Sequence, residues 1–295
     1  MVGYSSTINN EGYINDSEIS RLLDNVFQIA RNSGYTGEYY CKELSSAFFD
    51  LGMIQTFWRD KAEGFPLRDG TFSPYYINLR TMTSYPDSDK LSAMIGLGIR
   101  KKIQEEGIDI NRIVGAANTG ILIAKSVTDW GKIPSCWNRK IEQVKTVEQL
   151  EKEVEKDYYK TRHILEGILF PGDRLMIWDD VITGGGTKLV VNRQVEIEEE
   201  RREKNERRPY DLELNYVGVI IDREQGGEKI LRENGFKLYS LMTFSQCLEW
   251  LRKKMHPYEY EMIAAFNKNP DEFQDERLQR QLEEETRDKS PFFKS

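Results

Sequence analysis

Residues 175–188 read LMIWDDVITGGGTK: four apolar residues, the adjacent carboxylates Asp179 and Asp180, and, after Thr183, the three glycines Gly184, Gly185 and Gly186 ahead of Thr187. A short apolar run that enters a glycine-rich turn before a helical pattern places both acids at the carboxyl end of a strand, where open α/β sheets bind ligands. Glycines let backbone N–H groups approach an anion closely, and the following helix adds its positive N-terminal end, so Thr183 to Thr187 suit a phosphate. Two adjacent carboxylates repel one another unless hydrogen bonds hold them. The vicinal hydroxyls of a ribose meet that need, since each donates to an ionised carboxylate. Together the two features point to a ribose 5-phosphate ligand. The lysine-containing nucleotide loop and the dinucleotide fingerprint do not match, because no GK[ST] occurs and GGG is too compact for GxGxxG. The competing reading is a strand end whose acids cap the next helix and whose glycines only turn the chain.

The elements that must position these residues alternate along the chain. Residues 16–34 carry apolar side chains at helical spacing (Ile19, Leu22, Leu23, Val26, Ile29), and 42–54 form a second helical stretch. A turn at 67–74 precedes the strand-like 75–82. Further on, 89–107 reads as helix, 112–121 as a strand with a glycine-containing loop, 174–180 as a buried strand, 187–205 as helix, and 215–222 and 237–243 as strands. Strands separated by helices predict an α/β fold with a mainly parallel sheet. Residues 1–15 read as a loose leader, and past Lys254 the interleaved charges predict a solvated helix or frayed tail.

The chain has 295 residues, 39% hydrophobic, enough for one large domain or two small ones with a substantial core. Its net charge of -7 argues against a sequence-blind nucleic-acid binder. Three isolated cysteines and two histidines predict neither a disulfide scaffold nor a zinc site of protein ligands. No apolar run approaches the ~20 residues of a membrane span, and the N-terminus lacks a secretory pattern, which predicts a cytoplasmic protein with no membrane partner.

The stretch MIWDDVITGGGT resembles the 5-phosphoribosyl 1-diphosphate (PRPP) signature of type I phosphoribosyltransferases. Three further stretches resemble one branch, the orotate phosphoribosyltransferases: LRDGTFSPYYINLR (67–80), KDYYKTRHILEG (156–167) and IIDREQGGEKILRENGFKLYSLMTFSQCLEWL (220–251). They occur in the family's order, and the similarity covers roughly residues 43–253. The resemblance implies a type I phosphoribosyltransferase fold, with a mainly parallel central sheet flanked by helices and a small N-terminal hood. It implies the reaction of orotate with PRPP to give orotidine 5'-monophosphate and diphosphate, with Mg2+ carried mainly by PRPP and no protein metal ligands. It also implies a homodimer whose catalytic loop is shared across the interface, in pyrimidine biosynthesis.

By the same resemblance Asp179 and Asp180 hold the ribose hydroxyls, and Thr183, Gly184, Gly185, Gly186 and Thr187 cradle the 5-phosphate. Many family members have a hydroxyl residue where this chain has Gly186. Asn118 and Thr119, in AANTG (116–120), correspond to the diphosphate-binding turn, although isolated glycine turns are common. Arg68 stands where the family usually has lysine in a segment touching PRPP. Arg223, Thr183 and the main chain at Tyr76 and Ile77 correspond to the orotate site, while Tyr75 reads as strand packing. The catalytic set is Arg139, Lys140, Lys156 and Asp180, with Tyr158 at a position often occupied by histidine.

One departure stands out. The family places an Arg-Lys pair two residues before a second lysine, but here IEQVKTVEQLEKEVE separates Lys140 from Lys156. The insertion, 141–155, has an apolar stripe at Ile141, Val144, Val147, Leu150 and Val154, which predicts a helix carried by the loop. Counting simply from Arg139 would instead put Gln143 at the lysine position, with Lys145 near the histidine one. A surface excursion without catalytic effect is the other reading, since loops accept insertions at little entropic cost. The sequence therefore divides into an N-terminal extension (1–41), a phosphoribosyltransferase domain (42–254) and a charged C-terminal extension (255–295). The residues after the match are too few for a decarboxylase fused behind it. Two other functions stay open: a PRPP-binding regulator or inactive relative, and a phosphoribosyltransferase for another base.

Overall fold

The computed structural model describes residues 16–67, 70–156 and 162–294. The expected leader at 1–15 lies outside them, as do Arg68 and Tyr158. In chain order the elements are α1 (Asp16–Asn32), α2 (Gly37–Asp50), β1 (Ile54–Thr56), β2 (Phe65–Pro66), β3 (Phe72–Ser73), β4 (Tyr75–Ile77) and α3 (Ser88–Glu105). Next come β5 (Arg112–Gly115), α4 (Thr119–Ser126), β6 (Ser135–Asn138), α5 (Val147–Val154), β7 (Leu165–Glu166) and β8 (Arg174–Ile182). The last are α6 (Gly186–Glu206), β9 (Glu213–Asp222), α7 (Gly227–Glu233), β10 (Lys237–Thr243), α8 (Phe244–Leu251), α9 (Pro257–Lys268) and α10 (Glu276–Lys289).

Among the described residues these elements form two compact units, one within 34–36 and 89–243 and the other within 16–33, 37–88 and 244–294. The larger unit holds a six-stranded sheet in the order β10-β9-β8-β5-β6-β7, parallel throughout except for β7. β8 lies inside the sheet, and Leu175, Met176, Ile177 and Trp178 are all buried, which explains why its sequence is continuously apolar rather than alternating. Trp178 is paired with Gly218 on β9, where a Cβ would stand 2.2 Å from the indole. Only glycine leaves room for that ring. The core over this part of the sheet also takes Val114, Val191, Val195, Val217, Val219 and Leu231.

The smaller unit has two antiparallel strand pairs, β1 with β4 and β2 with β3, and the helices α1, α2, α8, α9 and α10. α1 buries Ile19, Leu23, Val26 and Ala30, one face of a helix with acids in its first turn and Arg31 in its last. The helix expected over 42–54 stops at Asp50, and Ile54 opens β1 instead. The strand expected over 75–82 ends at Ile77 and passes into a 3-10 turn, Leu79–Thr83.

Past Lys254, where a solvated helix or frayed tail is expected, the structure has helices, and the correction is that they are packed rather than solvated on every side. α9 starts in a capping box, His256 with Glu259 and Pro257 at the first helical position, and the segment buries Ile263, Phe266, Phe273 and Leu282. Glu259 is itself buried and accepts from the Thr56 hydroxyl, with burial holding its carboxyl above the usual range. Ser290 donates to the Trp58 carbonyl at 2.6 Å, and Gln274 accepts from the Phe72 amide at 2.7 Å. The charge pattern at 276–289 belongs to the exposed face of one helix, whose apolar minority is packed. Tyr75 packs as expected, stacked on Phe244 at 3.9 Å between centroids.

Candidate active site

In the larger unit the carboxyl ends of four parallel strands carry the residues singled out above. β8 delivers Asp179 and Asp180. Asp179 is buried, and its Oδ1 accepts from the Asp180 amide at 2.9 Å. Its Oδ2 accepts from the Lys188 ammonium at 2.6 Å. Burial and the neighbouring Asp179 carboxylate push the Asp180 carboxyl up to about 7, against the opposing effects of the Lys188 charge and a hydrogen bond from the Thr119 hydroxyl.

The chain then turns through the glycines. Gly185 has φ 78° and precedes α6, so this one glycine is demanded by backbone conformation. At Gly184 and Gly186 nothing lies within 4 Å of a hypothetical Cβ, and both are exposed with Thr187. The first turn of α6 has amides without intrahelical acceptors, so its open face presents donors and a positive dipole end to an anion. The arrangement at 179–187 is that of an acid pair beside an anion cradle.

The loop after β5 packs against the same strand end. The Ala116 amide donates to the Trp178 carbonyl at 2.9 Å, and a Cβ on Gly120 would stand 2.5 Å from that oxygen. The peptide between Ala117 and Asn118 is cis. Asn118 is exposed at the start of α4, whereas Thr119 is buried. After β9 the Arg223 amide donates to the Ile182 carbonyl at 3.1 Å, and the Arg223 side chain is buried. Gly227 fits against Ile182 and the Thr183 carbonyl, where a Cβ would meet the latter at 2.7 Å. The DREQGG segment is thereby packed onto the glycine turn.

β6 ends at Asn138, so Arg139 and Lys140 follow directly; both are exposed, and Arg139 is paired with Glu166. Lys156, exposed at the other end of the insertion, is paired with Glu153 at 2.6 Å. Between them α5 forms as expected, capped by Thr146 and Gln149. Ile141, Leu150, Val144 and Val154 join a cluster with Ile164, Val190 and Ile197, so the stripe is docked onto α6. Tyr76 and Ile77 lie on β4 in the smaller unit, with Tyr76 stacked on Phe65 at 5.8 Å between centroids and the Ile77 side chain buried.

Sequence reasoning missed three side chains. In the sequence Lys188 stands only as one residue of a helix. Asn138 accepts from the Ala117 amide at 2.6 Å and donates to Gln194 at 2.7 Å, while Gln194 donates to the Arg139 carbonyl at 2.9 Å. Asn138 and Gln194 are both buried and tie the 116–120 loop and the Arg139 strand end to α6. The available signal was a polar residue among the apolar positions of each element. Among the described residues no group of three or more His, Cys, Asp or Glu side chains is placed to hold a metal, and no helix is long and apolar enough to cross a membrane.

No family model matches the chain. The orotate phosphoribosyltransferase of Sulfurisphaera tokodaii is 32% identical over 196 residues, covering 63% of this chain and 80% of that protein. The uridine 5'-monophosphate synthase of Bos taurus is 27% identical over 225 residues, covering 76% of this chain but only 40% of the relative. Among solved structures, the orotate phosphoribosyltransferase of Aeropyrum pernix matches with a TM-score of 0.51 at 19% identity, over 70% of this chain and 97% of that one. The chain belongs to the orotate phosphoribosyltransferase family, with the type I phosphoribosyltransferase fold.

Proposed function

We propose that the chain transfers the 5-phosphoribosyl group of PRPP to N1 of orotate, forming orotidine 5'-monophosphate and diphosphate. The observation that carries this reading is the placement of the acid pair, the open glycine turn and the 116–119 loop at neighbouring strand ends of one parallel sheet. Asp179 and Asp180 accept from the ribose hydroxyls, and the turn at 183–187 takes the 5-phosphate through backbone N–H groups. Asn118 and Thr119 adjoin the diphosphate. Arg223 offers a guanidinium to the orotate carboxylate.

Bond cleavage leaves positive charge on the ribose and adds negative charge to the departing diphosphate. The chain's contribution is positioning and charge stabilisation rather than a covalent nucleophile. Arg139, Lys140 and Lys156 supply positive charge to the leaving group. Their ion pairs with Glu166 and Glu153 are exposed, a kind worth about 0–1 kcal/mol, so the cations are readily released to a ligand. Magnesium, a hard cation that prefers oxygen and keeps waters, would supply charge that neutralises the diphosphate, with the carboxylates and hydroxyls here reaching it only through its waters. We assign a homodimer with the loop bearing Lys140 and Lys156 shared across its interface, on the resemblance of that loop. The three buried cysteines, Cys41, Cys136 and Cys247, are in no disulfide and suit a reducing compartment such as the cytoplasm.

The test is diphosphate release from PRPP and magnesium with a panel of orotate, uracil and purine bases. Turnover with orotate alone is expected. Turnover of a purine without orotate overturns the acceptor assignment, and tight PRPP binding without any turnover would favour a regulatory protein.

A further inference from the structure

Lys188 follows the phosphate turn directly, and the proposed reaction makes no use of it. It is 5% exposed, on a helix whose neighbouring buried positions are Val190 and Val191. Its ammonium donates to Asp179 Oδ2 at 2.6 Å and to the Val181 carbonyl at 2.9 Å. With the Asp180 amide on Oδ1, each oxygen of Asp179 already has one donor from the chain and keeps a further acceptor direction. Burying an ammonium is costly unless it is paired, so an apolar residue here would be the cheaper way to fill the space. The lysine changes what Asp179 can accept. A divalent cation approaching that carboxylate meets a fixed positive charge at ion-pair distance, in a site where water screens poorly. A hydroxyl donor meets no such repulsion.

We propose that Lys188 is the resident counter-cation of the acid pair, reserving Asp179 for ribose hydroxyls and keeping a divalent cation from seating on the two carboxylates. Magnesium then enters only on the phosphates of the ligand. The ligand named here rests on the function proposed above, whereas the exclusion of the cation does not. Lys188 is a positioning residue that acts through Asp179.

The experiment titrates Mn2+ into ligand-free protein, following the electron paramagnetic resonance signal of the free ion, and measures PRPP dissociation separately by calorimetry at saturating Mg2+. Wild type and Lys188→Arg are expected to leave the Mn2+ signal unchanged. Lys188→Met and Lys188→Gln should each take up about one Mn2+ per chain, and adding Asp179→Asn should abolish that uptake. Their PRPP dissociation constant should rise about 10- to 100-fold, the range for losing a charge-assisted hydrogen bond. Should Lys188→Met fail to fold, Lys188→Gln, which keeps a donor for Asp179, carries the test. A folded Lys188→Gln that ignores Mn2+, or a Lys188→Arg that binds it as the neutral variants do, overturns the proposal. A variant that gains Mn2+ while binding PRPP normally overturns the reservation of Asp179. Wild type without PRPP affinity would instead count against the proposed function, and the Mn2+ comparison would still decide the role of Lys188.

Discussion

Asp180 shows how one side chain's surroundings set a measurable behaviour. Its carboxyl is pushed up to about 7 by burial and by Asp179, so in the ligand-free protein it takes up a proton across the neutral range. A protonated carboxyl accepts weakly from a hydroxyl, so PRPP affinity should rise with pH through a transition near 7. Asp180→Asn should flatten the profile, leaving only the titration of the ligand's own phosphates; an unchanged transition in that variant would discard the assignment. The sign for stability is opposite. A carboxyl with a raised folded pKa contributes stability fully present below its ordinary value of 3.8, and that contribution is lost as pH rises through about 7. At this scale the acids, the glycines and Arg223 were legible because their types and order are unusual together. Lys188, Asn138 and Gln194 were not, since a lysine, an asparagine or a glutamine becomes informative only when its burial and partner are known. Of the three glycines, only Gly185 is required by its φ, a distinction that the letters GGG do not contain.

Among the elements, α5 separates two alignments of the loop. The insertion was legible as a helix because its stripe has helical spacing, and the surface it covers, Val190 and Ile197 of α6, was not, because that contact joins distant parts of the chain. Docking leaves Lys145 and Lys152 inside an inserted, capped segment and Lys156 just past its end. If Lys156 meets the departing diphosphate, Lys156→Ala should lower turnover with PRPP saturating by more than it weakens PRPP binding, since the charge acts mostly in the transition state. Lys145→Ala and Lys152→Ala should stay close to wild type. Normal turnover in Lys156→Ala, or a selective loss in Lys145→Ala, would move the assignment to the simple count from Arg139.

For the whole molecule, alternation of strands and helices was enough to predict the α/β class and the parallel sheet. The boundaries at 41 and 254 follow the extent of the similarity, whereas the compact units divide the chain at 33–37, 88 and 243. Composition misled at the C-terminus because a helix with one packed face is mostly charged when read as a string. The packing predicts that Phe266, buried against Tyr75 and Phe273, is a core residue. Phe266→Ala should cost about 3–5 kcal/mol in denaturant unfolding, whereas a residue of a solvated tail would show almost none.

The smaller unit draws its helices from both sides of residues 89–243, so its strand pairs are made before that segment and its helices α8 to α10 after it. During synthesis domains generally fold as units from the N-terminal side, so the sheet can close while α1 and α2 still lack their later neighbours. The intervening chain is then no longer a long flexible loop whose ends must be brought together at an entropic cost, but a structured insert. The early elements of the smaller unit therefore wait on the ribosome for the late ones.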